Sequence, residues 1–304
     1  MNEIKKVLIC GIGAIGSIYA DKISRYDNAN LKILVDKDRL EKYQKNPKIF
    51  NGYELKLNYI LPDNTDFKAD LIMIATKYDG LFDAVKNIKN FVKEDTIILS
   101  LLNGITSENI LGEKYGFRHI IHSYFVGHSA MRDGNNITFD GKGDIIFGVQ
   151  NPEITDLNDE KILENFFNKT KISYKIPDDI KRSMWLKFLL NVSSNQTSAI
   201  LGKTFGQMQN SVKFRKLLEN IMLEVVAIAQ KEGVKNTNSL LEDAFKVFDT
   251  MCAEGKTSML QDIEAGRKTE VEMFAGTVIE LGEKYNIPTP YNKVLKEMIE
   301  ILED

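Results

Sequence analysis

The run Lys6-Val7-Leu8-Ile9-Cys10-Gly11-Ile12-Gly13-Ala14-Ile15-Gly16 decides the fold. Its first five residues are a short apolar stretch suited to a buried parallel strand. Gly11 permits the tight turn out of that strand, Gly13 lets a backbone close on a pyrophosphate, and Gly16 lets the following helix pack against the sheet. The helix, expected from Ala14 to about Tyr26, presents free N–H groups and a positive dipole end to a phosphate. A second strand, Leu31-Lys32-Ile33-Leu34-Val35, ends at Asp36, twenty residues beyond Gly16. A carboxylate there can accept the ribose hydroxyls of an adenosine. A plain strand-to-helix turn does not account for all three glycines. The loop Gly11 to Gly16 and Asp36 therefore predict a dinucleotide site.

The rest of the chain bounds the class. At 304 residues there is room for about two domains with separate cores. A formal net charge of −3, with lysines interleaved among acids, speaks against a nucleic-acid partner. Cys10 and Cys252 form no disulfide framework, and His119, His122 and His128 show no metal-ligand spacing, so no metal is expected. The first strand begins too early for a signal peptide, and no apolar run reaches membrane-spanning length. These features predict a cytoplasmic enzyme without a membrane partner.

Residues 4 to about 125 alternate strands and helices. Strands are expected at Asp70 to Thr76, Thr96 to Leu101 and His119 to Tyr124, with helices at Leu81 to Phe91 and Ser107 to Tyr115, which implies right-handed βαβ units. Gly141, Gly143 and Gly148 punctuate residues 137 to 149 and suggest antiparallel strands at the sheet edge. A helix near Asp156 to Lys169 and a strand near Ile172 to Ile176 close this part. Beyond Pro177 only helical periodicity is found, at Ser211 to Glu232 and Ser239 to Cys252. Thr269-Glu270-Val271-Glu272 has the pattern of a capping box opening a helix to about Tyr285, and Pro290 suits the start of the last helix. The fold class is thus α/β: an N-terminal Rossmann-type dinucleotide-binding domain, residues 1–177, and a C-terminal all-helical domain, residues 178–304.

The chemistry of the second half centres on Trp185-Leu186-Lys187-Phe188-Leu189-Leu190-Asn191-Val192-Ser193-Ser194-Asn195. Lys187, Asn191 and Asn195 recur every four residues, so an α-helix puts them on one face with a drift of about 80°. Apolar neighbours bury the segment, and desolvation lowers the pKa of a buried lysine, which suits a proton donor beside a developing alkoxide. A lysine reaching solvent and asparagines bonding loops would be the purely structural reading. Asn103-Gly104 and Thr76-Lys77 each follow a strand at the carboxyl edge, where such sheets hold ligands. Ser258 reads as a helix-start residue whose hydroxyl can hold a carboxylate.

Together, Gly11 to Gly16, Thr76-Lys77, Leu102-Asn103-Gly104, His128 to Asn135, Trp185 to Asn195 and Thr257 to Glu270 resemble the ketopantoate reductases, the 2-dehydropantoate 2-reductases of pantothenate biosynthesis. The resemblance covers essentially the whole chain. The lysine–asparagine helix is also similar to that of the wider group of 6-phosphogluconate and hydroxyisobutyrate dehydrogenases, and the helical domain resembles the C-terminal domain of 6-phosphogluconate dehydrogenases. The resemblance implies that NADPH reduces a 2-keto acid, with Lys187 protonating the C2 oxygen. It implies that Asn191 and Asn195 hold the hydroxyl and carboxylate end of the substrate, that Ser258 holds the carboxylate, and that Asn103 bridges nicotinamide ribose and substrate. Glu270 is implied near Lys187 and the cofactor, Lys77 along the cofactor, and Ser129 in backbone contact with it.

Two positions depart from the family pattern. Asp36 stands where NADPH-dependent members commonly place an arginine, which favours NADH. Thr204-Phe205-Gly206 occupies a place where some members carry a further substrate-contacting asparagine. An NADH-dependent D-2-hydroxyacid dehydrogenase of the same fold therefore stays open, as does a non-catalytic dinucleotide sensor. The amphipathic helices suit a homodimer.

Overall fold

The computed structural model describes residues 3–127 and 130–304. The chain divides into two units, Met1–Ile180 and Lys181–Asp304. In the first, the order is β1 (Val7–Cys10), α1 (Ala14–Asp27), β2 (Leu31–Leu34), α2 (Lys37–Lys45), β3 (Ile49–Phe50), β4 (Tyr53–Glu54), β5 (Tyr59–Ile60), β6 (Leu71–Ile74), α3 (Leu81–Asn87), β7 (Ile97–Ser100), α4 (Ser107–Tyr115), β8 (Ile120–Gly127), β9 (Met131–Asp133), β10 (Asn136–Thr138), β11 (Gly143–Gly148), α5 (Asn158–Thr170) and β12 (Tyr174–Lys175).

Eight strands form one sheet in the order β12-β11-β8-β7-β6-β1-β2-β5. Every residue of β1, β6 and β7 is buried, as expected of strands covered on both faces. Alternate side chains serve two cores. Val7, Ile9, Leu71, Met73, Ile97 and Leu99 meet α1 and α5 through Ile18, Ile23, Leu163 and Phe167. Leu8, Ile72, Ile74 and Ile98 meet α3 and α4 through Leu81, Ala84 and Leu111.

The region 137–149 is only partly an edge of this sheet. β11 does run antiparallel to β8. β10 instead leaves it, forming a hairpin with β9 about Gly134 (φ +57°) and pairing in parallel with β3. The result is a separate four-stranded sheet, β4-β3-β10-β9. Its strands are two or three residues long, too short to show periodicity. Helix α2 also escaped the pattern, because Tyr43 is its only buried residue.

The second unit is helical. It continues α6 (Ile180–Leu190), then a π-helical turn at Asn191–Asn195, α7 (Gln196–Leu201), α8 (Phe205–Gln209), α9 (Val212–Lys231), α10 (Leu240–Asp249) and α11 (Ser258–Glu264). A second π-helical turn, Glu272–Gly276, leads into α12 (Thr277–Tyr285), and α13 (Pro290–Glu303) ends the chain. α9 supplies the centre of the core through Leu218, Ile221, Met222 and Val225, all fully buried. Its buried Glu224 accepts hydrogen bonds from the backbone N–H groups of Tyr291 (2.8 Å) and Asn292 (3.1 Å), fastening the start of α13 behind Pro290. The capping box at Thr269 does not form. The Thr269 hydroxyl accepts from the Val271 N–H at 3.3 Å, and Glu272 pairs with Lys296 at 2.7 Å. The π-helical turn that begins at Glu272 takes this side chain out of capping register.

Candidate active site

The carboxyl ends of β7, β6, β1 and β2 lie side by side in the sheet, and sequence order reverses at β1. This is the switch point at which an open α/β sheet holds ligands. At the end of β1, Gly11 has φ +98°, and a Cβ there would stand 2.6 Å from the Ala75 backbone. A Cβ on Gly16 would stand 1.9 Å from the Gly11 carbonyl oxygen. Gly13 differs from both, since a Cβ there would meet nothing within 4 Å. Protein packing thus demands glycine at positions 11 and 16, but at 13 the open space is what glycine preserves. Gly13 is the N-cap of α1, offers no side-chain cap, and the first helical turn holds no acid. Uncapped N–H groups facing open space fit a pyrophosphate. Thr76, which the sequence places beside Lys77 at the carboxyl edge, has its hydroxyl buried without a hydrogen-bond partner, a donor available to a ligand.

Asp36 is exposed and caps α2. Its Oδ1 accepts from the Arg39 N–H at 2.7 Å, and its Oδ2 lies 3.5 Å from the Arg39 guanidinium. The carboxylate expected to meet a ribose is therefore also a helix cap and an ion-pair partner. Lys77 is exposed at the turn after β6, and Asn103 is half-buried beside Gly104, which has φ +87°. Ser129 lies outside the described residues.

In the helical unit, Lys187 is half-buried on α6. Desolvation pushes its ammonium down to about 8, and the Glu270 carboxylate pulls it back up. Asn191 and Asn195 open and close the first π-helical turn, and Asn195 is only 6% exposed. This turn changes the expected geometry. A π turn uses more residues per revolution than an α turn, so a four-residue repeat passing through it undoes the drift instead of adding to it. Its backbone packs against α11 and against the second π-helical turn, which follows Glu270. Thr257, not Ser258, caps α11, accepting from the Leu260 N–H at 3.2 Å. The Ser258 hydroxyl is exposed in the first turn of that helix and is not consumed by capping. At Thr204, a capping box with Gln207 starts α8.

One cluster was invisible in the sequence. His119, Asp156 and Asp159 each place a ligand atom within 4.8 Å of the others. They are satisfied from within, by a 2.6 Å His119–Asp159 hydrogen bond and by Arg118 at 3.6 Å from Asp156. Their wide separation along the chain hid them from spacing arguments.

Comparison with known proteins agrees along most of the chain. Residues 7–152 match the model of the family "Ketopantoate reductase PanE/ApbA", and residues 179–303 match its C-terminal counterpart. A 2-dehydropantoate 2-reductase of Streptococcus pyogenes serotype M6 is 25% identical over 297 residues, covering 96% of each chain. Among solved structures, a D-mandelate dehydrogenase with NADH and anilino(oxo)acetate superposes with a TM-score of 0.86 at 24% identity, covering 98% of both chains. A dimeric ketopantoate reductase from Staphylococcus aureus superposes with a TM-score of 0.76 at 18% identity, again covering 98% of both.

The two glycines that flank the start of α1 should separate folding from binding. Gly16→Ala is expected to destabilise the protein, because the Gly11 carbonyl must move. Gly13→Ala is expected to leave the melting temperature within a few degrees of wild type while weakening dinucleotide binding by at least roughly tenfold, through lost close approach to the phosphates. Thermal melts and a fluorescence titration with NADH and NADPH check both; unchanged affinity in Gly13→Ala would remove the pyrophosphate from this loop.

Proposed function

This chain belongs to the ketopantoate reductase family, and from that premise we propose that it reduces ketopantoate to pantoate with a nicotinamide dinucleotide. The observation that carries the reading is the lysine of α6: an ammonium with a depressed pKa, coupled to Glu270 and followed at four-residue spacing by Asn191 and Asn195. The nicotinamide, when bound, supplies the hydride to C2 of the keto acid. Lys187 donates the proton to the C2 oxygen, and a donor with pKa near the working pH gives it up most readily. Glu270 keeps enough of the lysine in the ammonium form at neutral pH. Asn191, Asn195 and the Ser258 hydroxyl orient the hydroxyl and carboxylate end of the substrate by hydrogen bonds. Gly11 to Gly16, Thr76, Lys77 and Asn103 hold the dinucleotide, with Asn103 bridging to the substrate; Ser129 is assigned to the same loop system by resemblance.

Asp36 favours NADH as the cofactor. Its carboxylate accepts from a ribose 2′-hydroxyl and repels a 2′-phosphate, and the guanidinium nearest to it is already engaged as its ion-pair partner. The same observation supports the second reading, an NADH-dependent D-2-hydroxyacid dehydrogenase acting on another 2-keto acid.

No helix among the described residues is long and apolar enough to cross a membrane. A cytoplasmic site of action goes with two unpaired cysteines, of which Cys252 is exposed. We further propose a homodimer formed through α13. Tyr291, Val294, Met298 and Ile301 recur along it at helical spacing and all are exposed. An adjoining apolar groove of about 420 Å³ is lined by Ile200, Leu201 and Leu217. A self-complementary stripe of this kind is what a two-fold partner covers.

Lys187→Ala is expected to lower kcat by roughly 10²–10⁴-fold with the fold intact, the range for a lost proton donor. In wild type, kcat/KM for reduction should fall as pH rises through about 8, because deprotonation empties the donor; a flat profile to pH 9 would contradict the role. Asp36→Ala is expected to shrink or invert a wild-type preference for NADH, measured as kcat/KM for each cofactor, and strong NADPH preference in wild type would overturn the assignment. Rates on ketopantoate and on other branched or aromatic 2-keto acids decide between the two substrate readings. Ile301→Asp should convert a dimer to a monomer in sedimentation analysis; a monomeric wild type would dismiss the interface.

A further inference from the structure

Glu108 is a carboxyl group that the reaction just described does not use, yet it is 2% exposed and sits in the first turn of α4. Its Oε2 accepts from the Ser107 hydroxyl at 2.9 Å, and its Oε1 accepts from the Ser123 N–H on β8 at 3.4 Å. The Ser107 hydroxyl in turn accepts from the Ser100 hydroxyl at 2.7 Å, and Ser100 Oγ accepts from the Leu102 N–H at 3.5 Å. The Ser123 hydroxyl closes the figure by donating to the Ser100 carbonyl at 2.7 Å. All three serines are buried.

This closed chain joins the last residue of β7, the start of α4 and the middle of β8. The only backbone between Ser100 and Ser107 is the loop that carries Asn103 and Gly104. Burial pushes the Glu108 carboxyl up to about 7 against the pull of these hydrogen bonds. A side chain kept for stability alone has a cheaper alternative. Leu111, one turn on, fills the same layer with an apolar group. A polar ring with each inner group satisfied fixes one geometry where apolar packing tolerates several.

We propose that Glu108 is a positioning residue for Asn103, holding the loop after β7 in the one conformation that aims the asparagine. The proposal rests on the reading of Asn103 as the bridge between nicotinamide ribose and substrate. Glu108 itself touches neither. Removing it takes from the Ser107 hydroxyl and the Ser123 N–H the acceptor that each uses, and the loop from Ser100 to Ser107 relaxes. Displacement of a substrate-orienting group by about 1 Å is enough to cost up to about 10²-fold in rate.

The test is a kinetic cycle on the full chain with ketopantoate and the preferred dinucleotide, comparing Glu108→Ala, Asn103→Ala and the double variant. Glu108→Ala is expected to lower kcat/KM for the keto acid roughly 10- to 100-fold, while the dinucleotide dissociation constant, set mainly by the loop Gly11 to Gly16, changes less than about threefold. The double variant should be no worse than Asn103→Ala within about twofold, since both substitutions act through one group. Ser107→Ala, which cuts the chain but leaves the carboxylate in place, should lower kcat/KM in the same direction by a smaller factor and keeps the test valid if Glu108→Ala does not fold. Multiplying effects in the double variant, or wild-type kinetics in Ser107→Ala, would overturn the proposal. Full activity in Asn103→Ala would leave Glu108 nothing to position and would end the proposal too, whereas the reductase reading itself stands or falls separately with Lys187→Ala.

Discussion

At the end of β1 the backbone of one turn touches the backbone of the next, and only hydrogen fits between them. A side-chain carbon on Gly16 would overlap the Gly11 carbonyl, and one on Gly11 would overlap the Ala75–Thr76 peptide. This contact brings the start of α1 hard against the carboxyl ends of β1 and β6. The first turn of the helix carries no side-chain cap, and a side chain at Gly13 would meet nothing within 4 Å. The neighbouring strands then deliver Thr76, Asn103 and Asp36 to the same edge of the sheet. Without this backbone contact the start of α1 could not sit where the proposed phosphate cradle requires it.

The helical unit is organised by a different constraint, the cost of burying a cation. Desolvation makes the ammonium of Lys187 a better acid, and Glu270 limits how far that goes. For the proton donor proposed here the two effects oppose each other: burial favours the neutral amine and the carboxylate favours the ammonium. Both flanking helices carry a π-helical turn near these groups, at Asn191–Asn195 and Glu272–Gly276, and the two turns pack on each other. Such turns reset the phase of a helix face and are often found at functional positions.

Polar groups buried away from either centre show the same logic on a smaller scale. Glu224 fastens α13 by accepting from its first N–H groups. The ring of Ser100, Ser107, Glu108 and Ser123 ties together the two ends of the loop bearing Asn103. In both places a buried carboxylate is placed where a helix begins, so the dipole of the helix offsets part of the cost of its burial.

Residue pattern alone determined the glycine loop, the unbroken apolar runs of the buried parallel strands, the change to an all-helical second half, and the four-residue spacing of Lys187, Asn191 and Asn195. These are local properties: a turn that only glycine can make, an unbroken apolar run and an apolar period of 3.6 residues are written in consecutive positions. Tertiary structure alone decided that Asp36 serves Arg39 and α2 as a cap. It also decided that Thr257 rather than Ser258 caps α11, that the Thr269 capping box yields to a π-helical turn, and that β10 pairs with β3 instead of the main sheet. Each of these outcomes depends on which distant backbone or charge competes for a group. Such competition is settled by packing in three dimensions, whether between near neighbours such as Asp36 and Arg39 or distant partners such as β10 and β3, and leaves no period in the sequence to read.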